Sequence, residues 1–141
     1  MKSISLESVR TLLDAPSPAV LTTIRKDGTA LSSPVWFRWT GRAFEIVIAR
    51  DDVKVRHLER LPRCTLVIFE AVSPFRGVEV RGDAILNRCD VTAIRKSIAS
   101  RYLGVEAGER FAAERFSKPG VLVQMPSSQV RAWNLVDILP D

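Results

Sequence analysis

A cluster of charged residues follows one of the apolar strands that the sequence predicts. Arg50, Asp51, Asp52, Lys54 and Arg56 lie between the run AFEIVIA and the end of the helical pattern VKVRHLERL. The start of a helix presents free backbone N–H groups and the positive end of the helix dipole, and both favour an anion. Lys54 adds a charge that can pair with phosphate. We therefore predict that a phosphate-bearing cofactor is held at this strand end.

The other residues of chemical interest form no recognisable catalytic or metal motif. His57 is the one histidine, and we expect it to be a surface or supporting residue rather than a base. Cys64 and Cys89 form no CxxC and are expected to be reduced, and together with one histidine they cannot build a usual zinc site. The sequence contains no GxGxxG, P-loop or GxSxG. If the chain is an enzyme, a cofactor is expected to supply the reactive group.

Short strands joined by turns are predicted along most of the chain. Asp27-Gly28 is a strong hairpin pair, and Pro34 indicates an edge strand or a bulge because proline cannot donate to a ladder. Strands are predicted over residues 19–24, 29–39, 43–49, 64–70, 77–86, 121–125 and 129–133, and the fourth is expected to be buried. Few helices and many hairpins favour a small antiparallel barrel.

Helices are predicted where apolar residues recur at helical spacing. The first covers residues 6–13, and the second runs from a cap at Asp51 or Asp52 to Pro62. Two more are predicted over residues 90–102 and 106–116. The charged residues of the last one are expected to form a solvated helical face; they are Glu106, Glu109, Arg110, Glu114 and Arg115.

Length and composition indicate one ordinary globular domain spanning residues 1–141. No apolar run is long enough to cross a membrane, and the first residues lack the apolar core of a secretion signal, so we expect a cytoplasmic protein. The net charge is +5, with basic residues spread along the chain rather than grouped in a block. This pattern fits a solvated basic surface or a pocket for a polyanionic small molecule, and it does not favour nucleic acid.

Nearly the whole chain, roughly residues 6–136, resembles the pyridoxamine 5′-phosphate oxidase-like split-barrel superfamily of flavin- and deazaflavin-binding proteins. The resemblance rests on a strand, a DG turn, a strand ending in PVWF, another strand, a charged loop and the helix motif KVRHL. GVEVRGDAIL resembles the next strand of that superfamily. RYLGVEAGERF and VLVQMPSSQVRAW resemble its actinobacterial branch, which uses the deazaflavin coenzyme F-420. A six- to seven-stranded antiparallel split barrel with two to three flanking helices is therefore expected.

The resemblance also implies a homodimer with two cofactor sites at the subunit interface. The tricyclic ring would lie against the backbone of Pro34, Val35, Trp36, Ile48 and Ala49. Lys54 matches the phosphate-binding lysine of the family, and Arg56 matches a second basic position on the same helix. Asp52 departs from the family pattern, in which a basic residue often stands there. Phe75, Arg76 and Trp133 would reach in from the partner subunit.

The resemblance implies an oxidoreductase in which reduced coenzyme F-420 delivers hydride to an unsaturated or carbonyl small molecule. Two alternatives stay open at this point: an FMN-binding flavin oxidoreductase, and a cofactor-binding or carrier protein without turnover. No side chain stands out as a proton donor. Trp36 and Trp39 fit either ring stacking or packing in the core or the dimer interface.

Overall fold

The fold is built mainly from strands rich in β-branched and aromatic residues. Over residues 3–127 and 129–141, which the computed structural model describes, the chain forms nine strands and four α-helices. The strands are β1 (Ala19–Ile24), β2 (Ala30–Val35), β3 (Arg38–Trp39), β4 (Ala43–Ala49), β5 (Arg63–Phe69), β6 (Gly77–Asp83), β7 (Ile85–Asn87), β8 (Gly120–Pro126) and β9 (Val130–Trp133). The α-helices are α1 (Arg10–Asp14), α2 (Val53–Arg60), α3 (Thr92–Leu103) and α4 (Val105–Glu114), and short 3₁₀ helices cover Leu6–Val9 and Val136–Ile138.

The strands form two antiparallel sheets, and the chain crosses between them four times. One sheet has the order β2-β1-β5-β6-β9 and the other the order β3-β4-β8-β7. The chain passes from the first sheet to the second between β2 and β3, and again between β6 and β7. Two segments predicted as single strands, residues 29–39 and 77–86, are therefore each divided, which raises the strand number above the predicted six or seven. The predicted mainly β, antiparallel split barrel is confirmed.

The β1–β2 hairpin forms at the predicted turn. Arg25 and Thr29 are joined by a backbone hydrogen bond of 2.8 Å, and Gly28 adopts a φ of +88°, which glycine tolerates without strain. Pro34 lies opposite Val20 on β2, which ends the order of its sheet. About half of the N–H groups of an edge strand point away from the sheet, so proline is tolerated on such a strand.

The core lies between the two sheets and takes large apolar side chains from both. Leu21 and Leu66 in the first sheet, and Phe44 and Ile46 in the second, are at most 1% exposed. The strand at residues 64–70, which was expected to be buried, is buried on one face. In β5 buried residues alternate with half-buried ones, because one face packs in the core and the other is only partly covered.

The helices begin and end close to the predicted positions. Asp52 is the N-cap of α2, and Val55 and Leu58 of that helix are buried. The predicted helix at residues 6–13 is a 3₁₀ turn followed by the five-residue α1. Gly104 joins α3 to α4 with a φ of +88°. No helix in the described part of the chain is both long and apolar enough to span a lipid bilayer.

Candidate cofactor-binding site

A cavity of about 920 Å³ lies between the ends of β2 and β4 on one side and helices α3 and α4 on the other. Sites for small molecules typically measure roughly 300–1,000 Å³ and are mostly apolar, as this one is. The cavity is lined by six of the ten residues that the sequence analysis associated with a cofactor: Pro34, Val35, Trp36, Ile48, Ala49 and Lys54. These residues come from three separate segments of the chain, so the fold brings them together at one place.

The strand side of the cavity is formed by the last residues of β2 and β4. These strands belong to different sheets, and the cavity occupies the space where the two sheets part. Val35 is half-buried, Ile48 is buried, and the small side chain of Ala49 is exposed. Small and apolar side chains at this wall allow a ring system to approach the strand backbone closely.

Lys54 is held at the cavity by its neighbour Asp52. The carboxylate of Asp52 accepts the backbone N–H of Lys54 at 2.8 Å and pairs with its Nζ at 3.0 Å. Burial alone would raise the pKa of Asp52, but the backbone N–H and the ammonium of Lys54 outweigh it and lower that pKa. Asp52 is therefore ionised near neutral pH, and it offsets part of the positive charge that Lys54 offers to an anion.

An aromatic cluster forms the helical side of the cavity. The rings of Trp36 and Tyr102 are stacked, with centroids 5.2 Å apart and an interplanar angle of 11°, and Phe111 packs against Trp36 at 5.2 Å. The hydroxyl of Tyr102 donates to the carbonyl of Ser17 at 2.8 Å and accepts the N–H of Phe37 at 3.3 Å. These bonds fix the ring of Tyr102, and burial raises its pKa, so this phenol stays neutral.

The two tryptophans for which the sequence left two roles open have different surroundings. Trp36 lines the cavity as part of the aromatic cluster. Trp39 packs against Phe44, with ring centroids 4.4 Å apart, at the border of the hydrophobic core. Core packing therefore accounts for Trp39, whereas Trp36 can contact a ligand.

Three further cations line the cavity, none of which was predicted from the sequence to be at the site. Arg95 comes from α3, and Arg115 and Lys118 follow α4. The guanidinium of Arg115 lies over the ring of Phe111, 3.6 Å from its centroid. Assigning Arg115 to a solvated helical face was wrong, because α4 ends at Glu114 and the next residues turn back to the cavity. The one sequence signal for Arg115 and Lys118 was their position just before the Pro-Gly turn that opens β8.

The other four residues associated with a cofactor lie outside this cavity. Arg56 is exposed, and its Nη1 lies 3.4 Å from the carbonyl of Asp51. Phe75, Arg76 and Trp133 form part of the region around β6 and β9 in the same chain. Their predicted contact with the site of a partner subunit stays a prediction.

Arg76 is bound within its own chain. Its Nε and Nη2 donate to the two carboxylate oxygens of Glu70 at 2.8 and 2.9 Å, and its Nη1 donates to Thr11 Oγ1 at 2.6 Å. The side-chain bond to Arg76 lowers the pKa of Glu70. Phe75 next to it is 40% exposed, with a φ of 58°. Arg76 therefore fixes the loop that presents Phe75 at the surface.

His57 is buried and lies away from the cavity. Its Nδ1 is 2.9 Å from Thr23 Oγ1, so it supports packing of α2 on β1 and is not the surface residue that was one expectation. Burial, with further help from Arg60 and Arg25, lowers its pKa. Burial also raises the pKa of Cys64 to about 11, which makes that thiol unreactive. Within the described residues no group of three or more His, Cys, Asp or Glu side chains could hold a metal ion.

Several solved structures share this fold at low sequence identity. The conserved hypothetical protein Rv2991 from Mycobacterium tuberculosis is 19% identical with a TM-score of 0.81, over 98% of this chain and 90% of that one. An F420 reductase is 22% identical with a TM-score of 0.70, over 86% of this chain and 94% of that one. A FAD-binding protein from Mesorhizobium loti is 16% identical with a TM-score of 0.66, over 93% of both chains. Identities this low support the fold alone.

The family to which the chain belongs follows from its sequence. No curated protein matches the sequence of this chain. The family described as pyridoxamine 5′-phosphate oxidase does match, over residues 5–134. That match covers both sheets and every segment that lines the cavity, and it confirms the resemblance carried by the order of the strands and the motif after β4. The chain therefore belongs to the pyridoxamine 5′-phosphate oxidase family.

Proposed function

We propose that this protein is an oxidoreductase that uses reduced deazaflavin coenzyme F-420 to transfer hydride to an unsaturated or carbonyl small molecule. The observation that carries the proposal is the convergence of the β2 end, the β4 end and Lys54 on one large, mostly apolar cavity. Membership of the pyridoxamine 5′-phosphate oxidase family supports a flavin-type ligand. The shared fold of an F420 reductase and a FAD-binding protein is consistent with it.

The residues present fit a tricyclic ring that carries a phosphorylated chain. The backbone and small side chains of residues 34–36 and 48–49 would lie against the ring, and the aromatic cluster would face it from the helical side. The phosphate would be met by cations at the cavity, among them Lys54. The volume of about 920 Å³ also leaves space for a small substrate beside the ring.

The protein's own contribution would be to bind, orient and exclude water. When bound, the cofactor would supply the hydride chemistry, which the side chains of this chain do not offer. Trp36, Tyr102 and Phe111 would keep water from the reacting face, since their rings cover the helical side of the cavity. Tyr102 stays protonated because its pKa is raised, but its hydroxyl is committed to Ser17 and Phe37. Solvent or the substrate is therefore the expected source of a proton.

Charge is our reason for proposing the deazaflavin rather than FMN. Both candidates share a tricyclic ring and a phosphorylated ribityl chain, but the deazaflavin carries additional acidic groups beyond the phosphate. The chain has a net charge of +5, and four cations line the cavity: Lys54, Arg95, Arg115 and Lys118. Positive potential of this kind favours the more anionic ligand and makes its binding weaker at high salt.

We also propose that the protein works as a homodimer, with Phe75, Arg76 and Trp133 close to the partner's cavity. Two segments beside these residues expose large apolar side chains. Val72 is 65% exposed, and Val136 and Ile138 are 57% and 75% exposed. A backbone hydrogen bond of 3.1 Å from Leu135 to Pro74 joins the two segments into one surface. A second copy of the chain would cover this surface.

Absorption spectroscopy of the purified protein, before and after adding coenzyme F-420 or FMN, tests the proposed ligand. We expect the spectrum of each added cofactor to shift, with saturation at lower concentration for the deazaflavin. Oxidation of the reduced deazaflavin by enone or carbonyl acceptors then tests turnover. A protein that binds the reduced cofactor but does not oxidise it with any of the acceptors tested would be a carrier. A protein that binds neither cofactor would contradict the proposed function.

A further inference from the structure

Three of the cations at the cavity have little compensation from acidic side chains. They are Arg95, Arg115 and Lys118, all on the side of α3 and α4. Among the described residues their one ion pair joins Arg115 to Glu114, with 3.7 Å between Nη1 and Oε2. Lys54 differs, because its Nζ is paired with Asp52 at 3.0 Å. The uncompensated positive charge of the cavity therefore lies with these three residues.

Arg95 is the central member of this group. It is 9% exposed, and its Nη1 donates to the carbonyls of Arg115 and Lys118, both at 3.0 Å. Within the described part of the chain, Nε and Nη2 of Arg95 have no acceptor, and neither atom is sealed off inside the protein. These donors therefore remain open to the cavity, where water or an anion can accept from them. Burial, followed by the nearby charge of Arg115, lowers the pKa of Arg95, and an anion would reverse this effect.

The same contacts fix the backbone that carries the other two cations. The bonds from Arg95 fix the segment 115–119 relative to α3, and a backbone hydrogen bond of 3.2 Å from Arg50 to Pro119 fixes it to the end of β4. Gly120 begins β8 so close to Arg95 that a Cβ at this position would lie 2.8 Å from Nη2. Because this backbone is already ordered, less entropy is lost when its side chains bind a ligand.

We propose that Arg95, Arg115 and Lys118 form the principal anion-binding site of the cavity and receive the phosphate of the bound cofactor. The identity of that ligand rests on the proposed function, whereas the anion site itself rests on the geometry above. A guanidinium binds phosphate oxygens in a bidentate manner, and a lysine adds a mobile charge. Lys54 then contributes less to phosphate binding, because its ammonium is already paired with Asp52.

Comparison of FMN with riboflavin isolates the phosphate, because the two probes share the ring and the ribityl chain. We would titrate both by fluorescence into the wild type, Arg115→Gln, Lys118→Gln and Lys54→Gln. Arg110→Gln and Lys96→Gln serve as matched controls, because each removes one exposed cation from the same pair of helices. Arg110 is paired with Glu106, and Lys96 is paired with Glu109. Arg95 is left unchanged, because its bonds to two carbonyls hold the segment.

We expect the wild type to prefer FMN and each of Arg115→Gln and Lys118→Gln to reduce that preference by about tenfold or more, as for one charge-assisted hydrogen bond. The affinity for riboflavin should stay unchanged in every variant, and both control variants should keep the wild-type preference for FMN. Lys54→Gln should reduce that preference less than Arg115→Gln or Lys118→Gln does. Equal binding of FMN and riboflavin by the wild type would overturn the anion site but not the proposed function. A preference lost only in Lys54→Gln would also overturn it.

If neither flavin binds, titration with coenzyme F-420 still tests the proposed function, and inorganic phosphate decides the anion site. Phosphate is compared with chloride at equal ionic strength for its effect on the melting temperature. A rise in the wild type and in Arg110→Gln that is absent in Arg115→Gln supports the site. No rise in the wild type, or an equal rise in Arg115→Gln, overturns it.

Discussion

At the scale of single residues, the pair of Asp52 and Lys54 limits how strongly the start of α2 attracts an anion. Lys54→Ala should weaken binding of a phosphorylated cofactor by at most about tenfold, the lower end of the range for a charge-assisted hydrogen bond. The value is low because the ammonium already pairs with Asp52. Titration calorimetry measures the change, and the melting temperature should stay the same.

The neighbouring residues supply the controls for this prediction. Asp52→Asn keeps a good N-cap for α2 but removes the negative charge, so binding should become tighter by roughly threefold to tenfold. Arg56→Ala removes an exposed cation of the same helix and should have little effect. If Asp52→Asn bound the cofactor more weakly than the wild type, Lys54 would not meet the phosphate.

His57 gives the fold a dependence on pH. Its pKa in the folded protein is lowered below the ordinary value of 6.5, first by burial and then by Arg60 and Arg25. The unfolded chain therefore binds a proton that the folded chain does not, and stability should fall as the pH drops from 6.5 through the folded pKa.

Urea unfolding at about pH 7.5 and about pH 5.5 measures this loss. His57→Asn serves as the comparison. The asparagine side chain can form a hydrogen bond with Thr23, but it does not titrate. Carboxylates titrate equally in both proteins, so the difference between the two profiles reports His57. Identical profiles would show that the folded pKa of His57 is not lowered.

At the scale of elements, the tight packing of α3 on α4 determines the shape of the helical wall. A Cβ at Gly108 would lie 2.5 Å from Cα and 2.7 Å from N of Ser100, so Gly108→Ala must push the helices apart. Alanine favours an isolated helix by about 1 kcal/mol over glycine, but overpacking costs about 1–3 kcal/mol. We expect lower stability and weaker cofactor binding, because Tyr102 and Phe111 would move. Higher stability in denaturant unfolding would contradict this packing.

Patterns that are local in sequence could be predicted, and contacts between distant elements could not. Alternation of apolar residues and the Asp27-Gly28 turn located the strands, and the run after β4 located the start of α2. The breaks that carry the chain from one sheet to the other depend on barrel closure, which has no local signature. Arg95, Arg115 and Lys118 were missed for the same reason, because only tertiary packing places α3 and the segment after α4 at the cavity.

At the scale of the whole molecule, the exposed surface formed by residues 72–75 and 135–138 predicts a stable dimer. Obligate dimers of this kind bury more than about 2,000 Å². Sedimentation velocity at micromolar concentration should give one species of twice the chain mass. Val72→Asp with Ile138→Asp should shift it toward monomer, since charges in an apolar interface are unfavourable. A wild type that sediments as a stable monomer would contradict the proposed assembly.

The central claim is that the cavity between β2, β4 and the α3–α4 pair binds the cofactor, and a variant that fills the cavity tests it most directly. Ala49 lines the cavity with an exposed side chain, so Ala49→Phe should occupy ligand space without disturbing the core. We would titrate coenzyme F-420 and FMN by fluorescence into both proteins, after checking that their melting temperatures agree. The wild type should bind the deazaflavin more tightly than FMN, and Ala49→Phe should bind both more weakly by well over tenfold, a loss of more than about 1.4 kcal/mol. Equal affinities in the wild type and Ala49→Phe would contradict the assignment of the cavity.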